Sequence, residues 1–263
     1  MTRPVLQEWL ARIAITLVIA AVLWQLLSGL PYKWRWEVAW NWRTQYLEGL
    51  LLTLKLSLGA MGLALVLGTL AALGRSARNI VARHCADLYV EIIRGTPLLV
   101  QIFLTWYVVF FAIGEATKNQ PAYTVVHRFS QDRIVAGIVI LGVFAGAYIA
   151  EVIRAGINAV DPGQREAGLA VGMTGTQVMR YIVFPQAFRR ILPPLTGELI
   201  ALIKDSSLLQ IIGISELAKK AYELNSVSYK PFEAFLPMAV VYFCLTWPLS
   251  LVTRQLERRY GAQ

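Results

Sequence analysis

The sequence has few residues of the types that catalytic and metal sites require. It contains two cysteines, Cys85 and Cys244, and two histidines, His84 and His127, in 263 residues. Neither pair has the spacing of a metal site or of a disulfide framework. No Ser/His or Cys/His constellation and no pair of membrane aspartates suggests an intramembrane enzyme. The sequence therefore predicts no catalytic residue and no metal ligand.

Charged residues are also scarce, at 16 % of the chain against roughly 25 % in soluble domains. Hydrophobic residues make up 57 %, and the mean hydropathy is +0.54. The apolar residues form runs at 13–30, 47–73, 97–114, 134–153 and 235–252, and a sixth at 191–214 that charges interrupt. Continuous runs of this length are typical of membrane-spanning helices, whereas barrels need alternating segments. We therefore expect an all-α polytopic membrane bundle of about six transmembrane helices.

Acidic residues are outnumbered by basic ones, and the net charge is +9. The basic residues are spread through the loops between the runs, so membrane lipid is the expected partner and nucleic acid is not. If the N-terminus is cytoplasmic, the loops on the cytoplasmic side hold more basic residues than the loops on the opposite side. Every basic residue in the cytoplasmic loops is then an arginine. This bias follows the positive-inside rule. An even number of spans then places both termini in the cytoplasm.

One polar loop between two runs holds two successive helix-start patterns. Asp161, followed by proline at the first helical position, caps a first helix, and Gln164 can close a capping box. Gly172 is expected to end this helix after about ten residues. Residues 174–177 repeat the capping pattern and start a second short helix, which we expect to end near Pro185. The loop is predicted to be a rigid projection on the inner membrane face.

This loop resembles the signature of ATP-binding-cassette importer permeases: Glu-Ala-Ala, three residues, Gly, nine residues, then Ile-x-Leu-Pro. The matching residues are Glu166, Ala167, Gly172, Ile182 and Pro185. Gly168 replaces the second alanine and should loosen the helix by about 0.5–1 kcal/mol, and Phe184 replaces leucine. The resemblance implies that residues 161–185 form a coupling loop on an ATPase subunit, with Arg165 and Gly168 among its residues.

Two further segments, 94–101 and 198–208, resemble the branch of this family that handles polar amino acids such as histidine, glutamate, glutamine, arginine and opines. The resemblance covers residues 47–254, which we expect to be the permease domain. Members of that branch often have five spans. Residues 1–46 are therefore expected to add an N-terminal transmembrane helix and a tryptophan-rich segment at the outer interface, and residues 255–263 a cytoplasmic tail.

The resemblance also implies the partners of the chain. It would be a non-catalytic permease subunit in the bacterial inner membrane, paired with a second permease that is either identical or related. Two cytoplasmic ATPase subunits would carry ATP and Mg, so this subunit would bind no cofactor itself. An extracytoplasmic binding protein would deliver the amino acid. The alternative is a secondary amino acid transporter driven by an ion gradient, which would have no use for a docking loop.

Polar residues at membrane depth or near helix ends are candidates for the pathway or its gate. They are Glu91, Arg94, Gln101, Glu151, Arg154, Glu198, Lys204 and Asp205. Glu91 with Arg94, and Glu151 with Arg154, share the spacing Glu-x-x-Arg. Each pair can form a salt bridge across one helix face, with a structural or a gating role. A charge at bilayer depth costs about 2.5–3.5 kcal/mol. The last three candidates should therefore face protein or water, as structural partners, substrate contacts or parts of an inner gate.

Overall fold

The computed structural model describes residues 32–118 and 132–260 and, nearer the N-terminus, residues 14, 15, 17, 18, 21, 22, 25 and 29. The chain divides into two units, Met1–Trp36 and Glu37–Gln263, and the helices named below belong to the second. The predicted apolar run at 13–30 lies largely outside the described residues.

The described part of the second unit is built from helices, and no strand occurs in it. The helices are α1 Glu37–Asn41, α2 Arg43–Arg75, α3 Ile80–Gly95, α4 Leu98–Thr117, α5 Arg133–Asn158, α6 Pro162–Ala170, α7 Gly175–Val178, α8 Phe184–Asp205, α9 Leu217–Ser228 and α10 Pro231–Tyr260. Helix α4 contains a π-helical turn, Leu104–Val109. The all-α expectation is confirmed.

Four described helices, α2, α4, α5 and α10, are long and apolar enough to cross a membrane. They cover four of the predicted runs. Helix α8 and the 3₁₀ turn after it, Ser206–Ile212, cover the interrupted run at 191–214, but α8 is not among the four. Its charged residues and its internal prolines Pro193 and Pro194 reduce its apolar character. The total of about six spans stays a prediction.

Helices α2 and α5 pack together through glycines. A Cβ atom on Gly68 would lie 2.7 Å from Ile149 Cγ2 and 2.8 Å from the carbonyl oxygen of Gly146. On Gly59 it would lie 2.8 Å from Ile138 Cδ1. In lipid, the hydrophobic effect does not drive two apolar helices together. Their association depends instead on van der Waals contact, which small residues increase because they let the two backbones approach closely. Helix α2 therefore packs closely against α5 within the bundle.

The paired positions rise together along both helices, so α2 and α5 are parallel. Their C-terminal ends lie at one end of the bundle, from which the loop of residues 161–185 projects. Helix α8 leads away from that loop and α10 returns beside it, with Thr196 Oγ1 2.7 Å from Thr253 Oγ1. Helix α9, which joins them, therefore lies at the end of the bundle opposite the loop.

Helix α9 is held in place by a fully buried carboxylate, Glu216. Its oxygens accept hydrogen bonds from the N–H groups of Ala218 (2.9 Å) and Lys219 (2.8 Å), which caps the helix. The hydroxyl of Tyr242 on α10 donates to Oε2 at 2.8 Å, and that of Thr53 on α2 at 3.4 Å. Burial raises the pKa of Glu216, and these donors oppose the rise. One side chain thus joins α2, α9 and α10.

We expect Glu216→Ala to lower the apparent melting temperature of the purified protein in detergent. The change removes a helix cap, worth about 1 kcal/mol, and takes the acceptor from a buried hydroxyl, which costs about 1–3 kcal/mol. Thermal unfolding followed by circular dichroism measures the shift. Glu223→Ala is the control, because its carboxylate accepts a longer bond of 3.3 Å from Ser215. Equal melting temperatures for the two variants would contradict this role of Glu216.

Candidate functional site

The first helix of the loop, α6, begins at the predicted cap. Asp161 Oδ1 accepts a hydrogen bond from the N–H of Gly163 at 2.6 Å, with proline at the first helical position. The capping box predicted for Gln164 is wrong. Its Oε1 instead accepts a 3.4 Å hydrogen bond from Gln186 Nε2 on α8. The glutamine therefore connects the start of the loop to the next long helix.

Helix α6 ends where predicted, at Gly172. The N–H of Gly172 donates to the carbonyl of Leu169 at 3.0 Å, and that of Met173 to Gly168 at 3.1 Å, which is a Schellman turn. The φ angle of Gly172 is +85°. A Cβ there would meet no atom within 4 Å, so the left-handed backbone requires the glycine and the available space does not.

The second half of the loop begins with the predicted capping box. Thr174 Oγ1 accepts from the N–H of Gln177 at 3.4 Å, and Gln177 Oε1 accepts from the N–H of Thr174 at 2.7 Å. The expected end near Pro185 is wrong. Helix α7 continues through a π-helical turn, Met179–Val183, into α8. Proline has no N–H to donate along the helix, and the π-helical turn just before it changes the local hydrogen-bond register.

Gly168 is the point at which the two halves of the loop pack together. It is buried, and a Cβ there would lie 2.7 Å from Ile182 Cδ1 and 2.9 Å from Val178 Cγ2. The glycine that replaces the second alanine of the Glu-Ala-Ala pattern thus permits a close contact. From the sequence, this replacement predicted only a loss of helix stability. Val178 continues into a buried cluster of Val160, Val183, Ala187 and Ile191. The loop is therefore packed onto the ends of α5 and α8.

The outer surface of the loop carries both charged and apolar side chains. Arg165 and Glu166 are exposed, as are Leu169 and Val171, and Val171 is 78 % exposed. Apolar side chains that project from a polar loop favour contact with another protein. The exposed surface of the loop is therefore suited to contact with another protein.

A cluster of charged groups lies near the end of α5, with Glu151 at its centre. Glu151 Oε1 lies 2.6 Å from Arg75 Nη1 and 3.2 Å from Arg94 Nη1, and its Oε2 is 3.8 Å from Arg154 Nε. Arg75 Nε also contacts Asp87 Oδ1 at 2.6 Å. This ionic cluster joins the end of α2, the helix α3 and the end of α5.

The cluster differs from the pairing expected within each Glu-x-x-Arg segment. In the part of the chain that the structure describes, Glu91 is exposed and makes no ion pair. Arg94 pairs across the bundle with Glu151, and its guanidinium lies 5.5 Å from the centre of the Tyr148 ring. The Glu151–Arg154 pair forms, but at the longest distance in the cluster. Nothing local in the sequence indicates Arg75, because its partners lie 12 and 76 positions away.

Gln101 connects α3 to α4. Its Nε2 donates to the carbonyl of Ile93 at 2.7 Å and to Thr96 Oγ1 at 2.8 Å. These bonds cross the break at Pro97, which is the N-cap residue of α4. The amide of Gln101 is therefore engaged with the C-terminal end of α3.

The remaining candidates lie on α8, apart from the ionic cluster. Glu198 and Asp205 are half-buried, and Lys204 is exposed. Within the described residues, no ion pair joins Lys204 to Asp205. A separation of seven residues places Glu198 and Asp205 on one face of α8. Two carboxylates therefore share that face.

Comparison with known proteins identifies the family. The binding-protein-dependent transport system inner membrane component matches residues 64–262. The chain belongs to this family. It is 35 % identical over 224 residues to the glutamine transport system permease protein of Escherichia coli K12, which covers 85 % of this chain and 96 % of that protein. It is 32 % identical over 213 residues to the arginine transport system permease protein of Bacillus subtilis 168, covering 81 % and 91 %.

A solved structure agrees with this assignment. The crystal structure of an amino acid ABC transporter with histidines superposes with a TM-score of 0.74 at 34 % identity, covering 87 % of this chain and 100 % of that one. The family resemblance of the sequence is thus confirmed. The family is described as an inner membrane component, and the helices α2, α4, α5 and α10 are long and apolar enough to cross a membrane.

In this family member, we expect Glu151→Gln to destabilise the fold by about 2 kcal/mol, because a hydrogen bond between charged groups is worth about that much. Arg154→Gln is the matched control. Its 3.8 Å contact is half-exposed, and its loss should cost less than ~1 kcal/mol. The apparent melting temperatures in detergent at low and high salt measure both. A larger effect at Arg154 would contradict the central place of Glu151.

Proposed function

We propose that the chain is the permease subunit of an ATP-binding-cassette importer and forms the membrane pathway for a polar amino acid. The observation that carries this proposal is the loop of residues 161–185. It is capped at both helix starts, packed onto α5 and α8, and exposes Glu166 and Val171 at its surface. The named activities of the glutamine and arginine relatives support polar amino acids as the substrate class.

In this proposal the loop docks on a cytoplasmic ATPase subunit, which holds ATP and Mg. Two permease subunits, identical or related, would meet two ATPase subunits, and a binding protein would deliver the amino acid. Arg165, Glu166, Ala167, Gly168, Gly172, Ile182 and Pro185 are the residues we assign to the loop. These residues transmit the movement of the ATPase to the membrane helices and perform no bond chemistry, so in this proposal the subunit is not an enzyme.

The packing of the loop explains how its movement would reach the bundle. Arg190 Nη1 on α8 donates to the carbonyl of Ala159 at 2.5 Å, next to the start of the loop. Glu151 lies two turns earlier on α5 and contacts Arg75 and Arg94. A displacement of the docked loop would therefore move the end of α5 together with α2 and α3.

The charged face of α8 is the proposed pathway surface. Glu198 and Asp205 lie on one face, and among the described residues neither carboxylate makes an ion pair. Lys204, exposed beside them, and Arg94 at the inner end complete the set of polar groups. Carboxylates at this depth can interact with the ammonium group that every amino acid substrate carries.

An ion-gradient-driven secondary transporter is the alternative, and uptake by proteoliposomes distinguishes the two. The vesicles would hold this subunit with its co-purifying ATPase and any partner permease, and labelled polar amino acids would be the probes. Uptake that requires both ATP on the loop side and a binding protein supports the importer. Uptake that an ion gradient drives without ATP would exclude it.

In the same assay we expect Glu166→Lys to abolish uptake while the protein stays in the membrane, because it reverses the charge of an exposed docking residue. ATPase co-purification should fall in parallel. Glu257→Lys is the control, since it makes the same reversal on α10, outside the loop. Normal transport by Glu166→Lys would show that the loop does not couple to the ATPase.

A further inference from the structure

The start of α8 and the turn before it carry aromatic side chains that point away from the bundle. Tyr181 is 64 % exposed, Phe184 55 % and Phe188 47 %. Phe184 and Phe188 are four residues apart and therefore share one side of the helix, and their ring centres lie 6.1 Å apart. Other residues of the same turns, Val183 and Ala187, are buried. The contact of α8 with the rest of the bundle thus does not use these rings.

The same stretch is basic. Arg180 and Arg189 are exposed, and neither forms an ion pair in the part of the chain that the structure describes. The guanidinium carbon of Arg180 lies 5.7 Å from the centre of the Tyr181 ring. Between Glu166 and Glu198 the sequence holds three arginines and no acidic residue, so nothing local neutralises this charge. We call the following residues the basic aromatic surface: Arg180, Tyr181, Phe184, Phe188 and Arg189.

The basic aromatic surface lies at the boundary between the loop and an apolar run. Residues 180–189 follow the second helix start of the loop and precede the run that begins at Ile191. As helix they extend about 15 Å, which places them at the level of the lipid headgroups when the run is in lipid. Helices at a membrane surface carry this combination, with basic side chains towards the headgroups and large apolar rings towards the acyl chains.

We propose that the basic aromatic surface binds an anionic phospholipid of the leaflet on the loop side. The guanidinium groups of Arg180 and Arg189 bond the phosphate oxygens, for which their planar donor geometry is suited, and the phenylalanine rings pack on the acyl chains. The proposal rests on the importer function for the side of the membrane, since the loop side is then cytoplasmic and its leaflet is negatively charged. It extends that function, because a bound lipid holds the start of α8 beside the moving loop.

A second copy of the chain fits this surface less well than lipid does. A two-fold interface brings the same patch together from both subunits. Arg180 and Arg189 would then meet arginines, and like charges that face each other across an interface cost several kcal/mol. A lipid phosphate instead supplies the negative charge that the stretch between Glu166 and Glu198 lacks.

The double variant Arg180→Gln/Arg189→Gln tests the proposal. Native mass spectrometry of the purified complex, at rising concentrations of phosphatidylglycerol, gives the apparent Kd of the bound lipid. This Kd should increase about 25-fold, because each basic residue near an anionic membrane surface contributes about fivefold, or about 1 kcal/mol. Binding of phosphatidylcholine, which carries no net charge, should stay the same.

Two further variants separate a site from general surface charge. Arg258→Gln/Arg259→Gln removes the same charge from exposed residues at the end of α10, which is also the loop end of the bundle, and should leave the Kd of phosphatidylglycerol unchanged. Phe188→Ser should weaken both lipids alike, because a ring contacts the acyl chains that the two lipids share. All changes are at exposed positions, so the melting temperatures in detergent should stay close to that of the unaltered protein.

Each contrary outcome has its own meaning. An unchanged Kd for the Arg180/Arg189 variant would exclude the lipid site, and an equal loss in the Arg258/Arg259 variant would reduce it to general surface charge. Unchanged lipid binding with loss of the co-purifying ATPase, or of a paired permease, would assign the surface to a protein partner. Lipid binding is measured without transport. Uptake that needs no ATP would therefore overturn the importer function and leave the lipid result standing.

Discussion

The close approach of α2 and α5 is the constraint on which the rest of the structure depends. In lipid, two apolar helices gain little by hiding from their surroundings, so they associate where small residues bring their backbones together. Gly59 and Gly68 provide this approach, and Ile138 and Ile149 fill the space that a Cβ atom would occupy. The register that results places the end of α2 beside the end of α5.

The ionic cluster is a consequence of that register. Arg75 ends α2 and reaches Glu151 because the two helices are parallel and in contact. Arg94 joins the same carboxylate from the end of α3. Since α5 continues directly into the loop of residues 161–185, the cluster fastens the base of the proposed coupling loop to the two helices that precede α4.

The two ends of the bundle carry surfaces of different construction. The loop is stabilised by backbone geometry, with Gly172 at positive φ and Gly168 at a close contact, and it presents Glu166 among apolar side chains. At the other end, α9 is stabilised by one buried carboxylate, Glu216, and presents tyrosines. In the importer we propose, the first surface would meet the ATPase, and the packing of the loop onto α5 and α8 would carry its movement into the bundle.

Much of the organisation of this protein was predictable from the sequence, because it depends on local patterns. Long apolar runs need only a helix to satisfy their backbone in lipid, and capping residues such as Asp161 and Thr174 act on neighbours a few positions away. The family signature is local for the same reason. The loop, its helix starts and the glycine that ends its first helix were therefore accessible before the fold was known.

What the tertiary structure alone decided are the contacts between residues far apart in the chain. Glu151 lies closer to Arg75 and Arg94 than to Arg154, three residues away, and Gly168 is a packing position. The role of Glu216 could not be predicted from the sequence, because a single glutamate before a helix start is indistinguishable there from an ordinary cap. Its contacts with Tyr242 of α10 and Thr53 of α2 exist only in the folded chain. Such contacts arise from helix register and packing distance, and neither is encoded in any local pattern of residues.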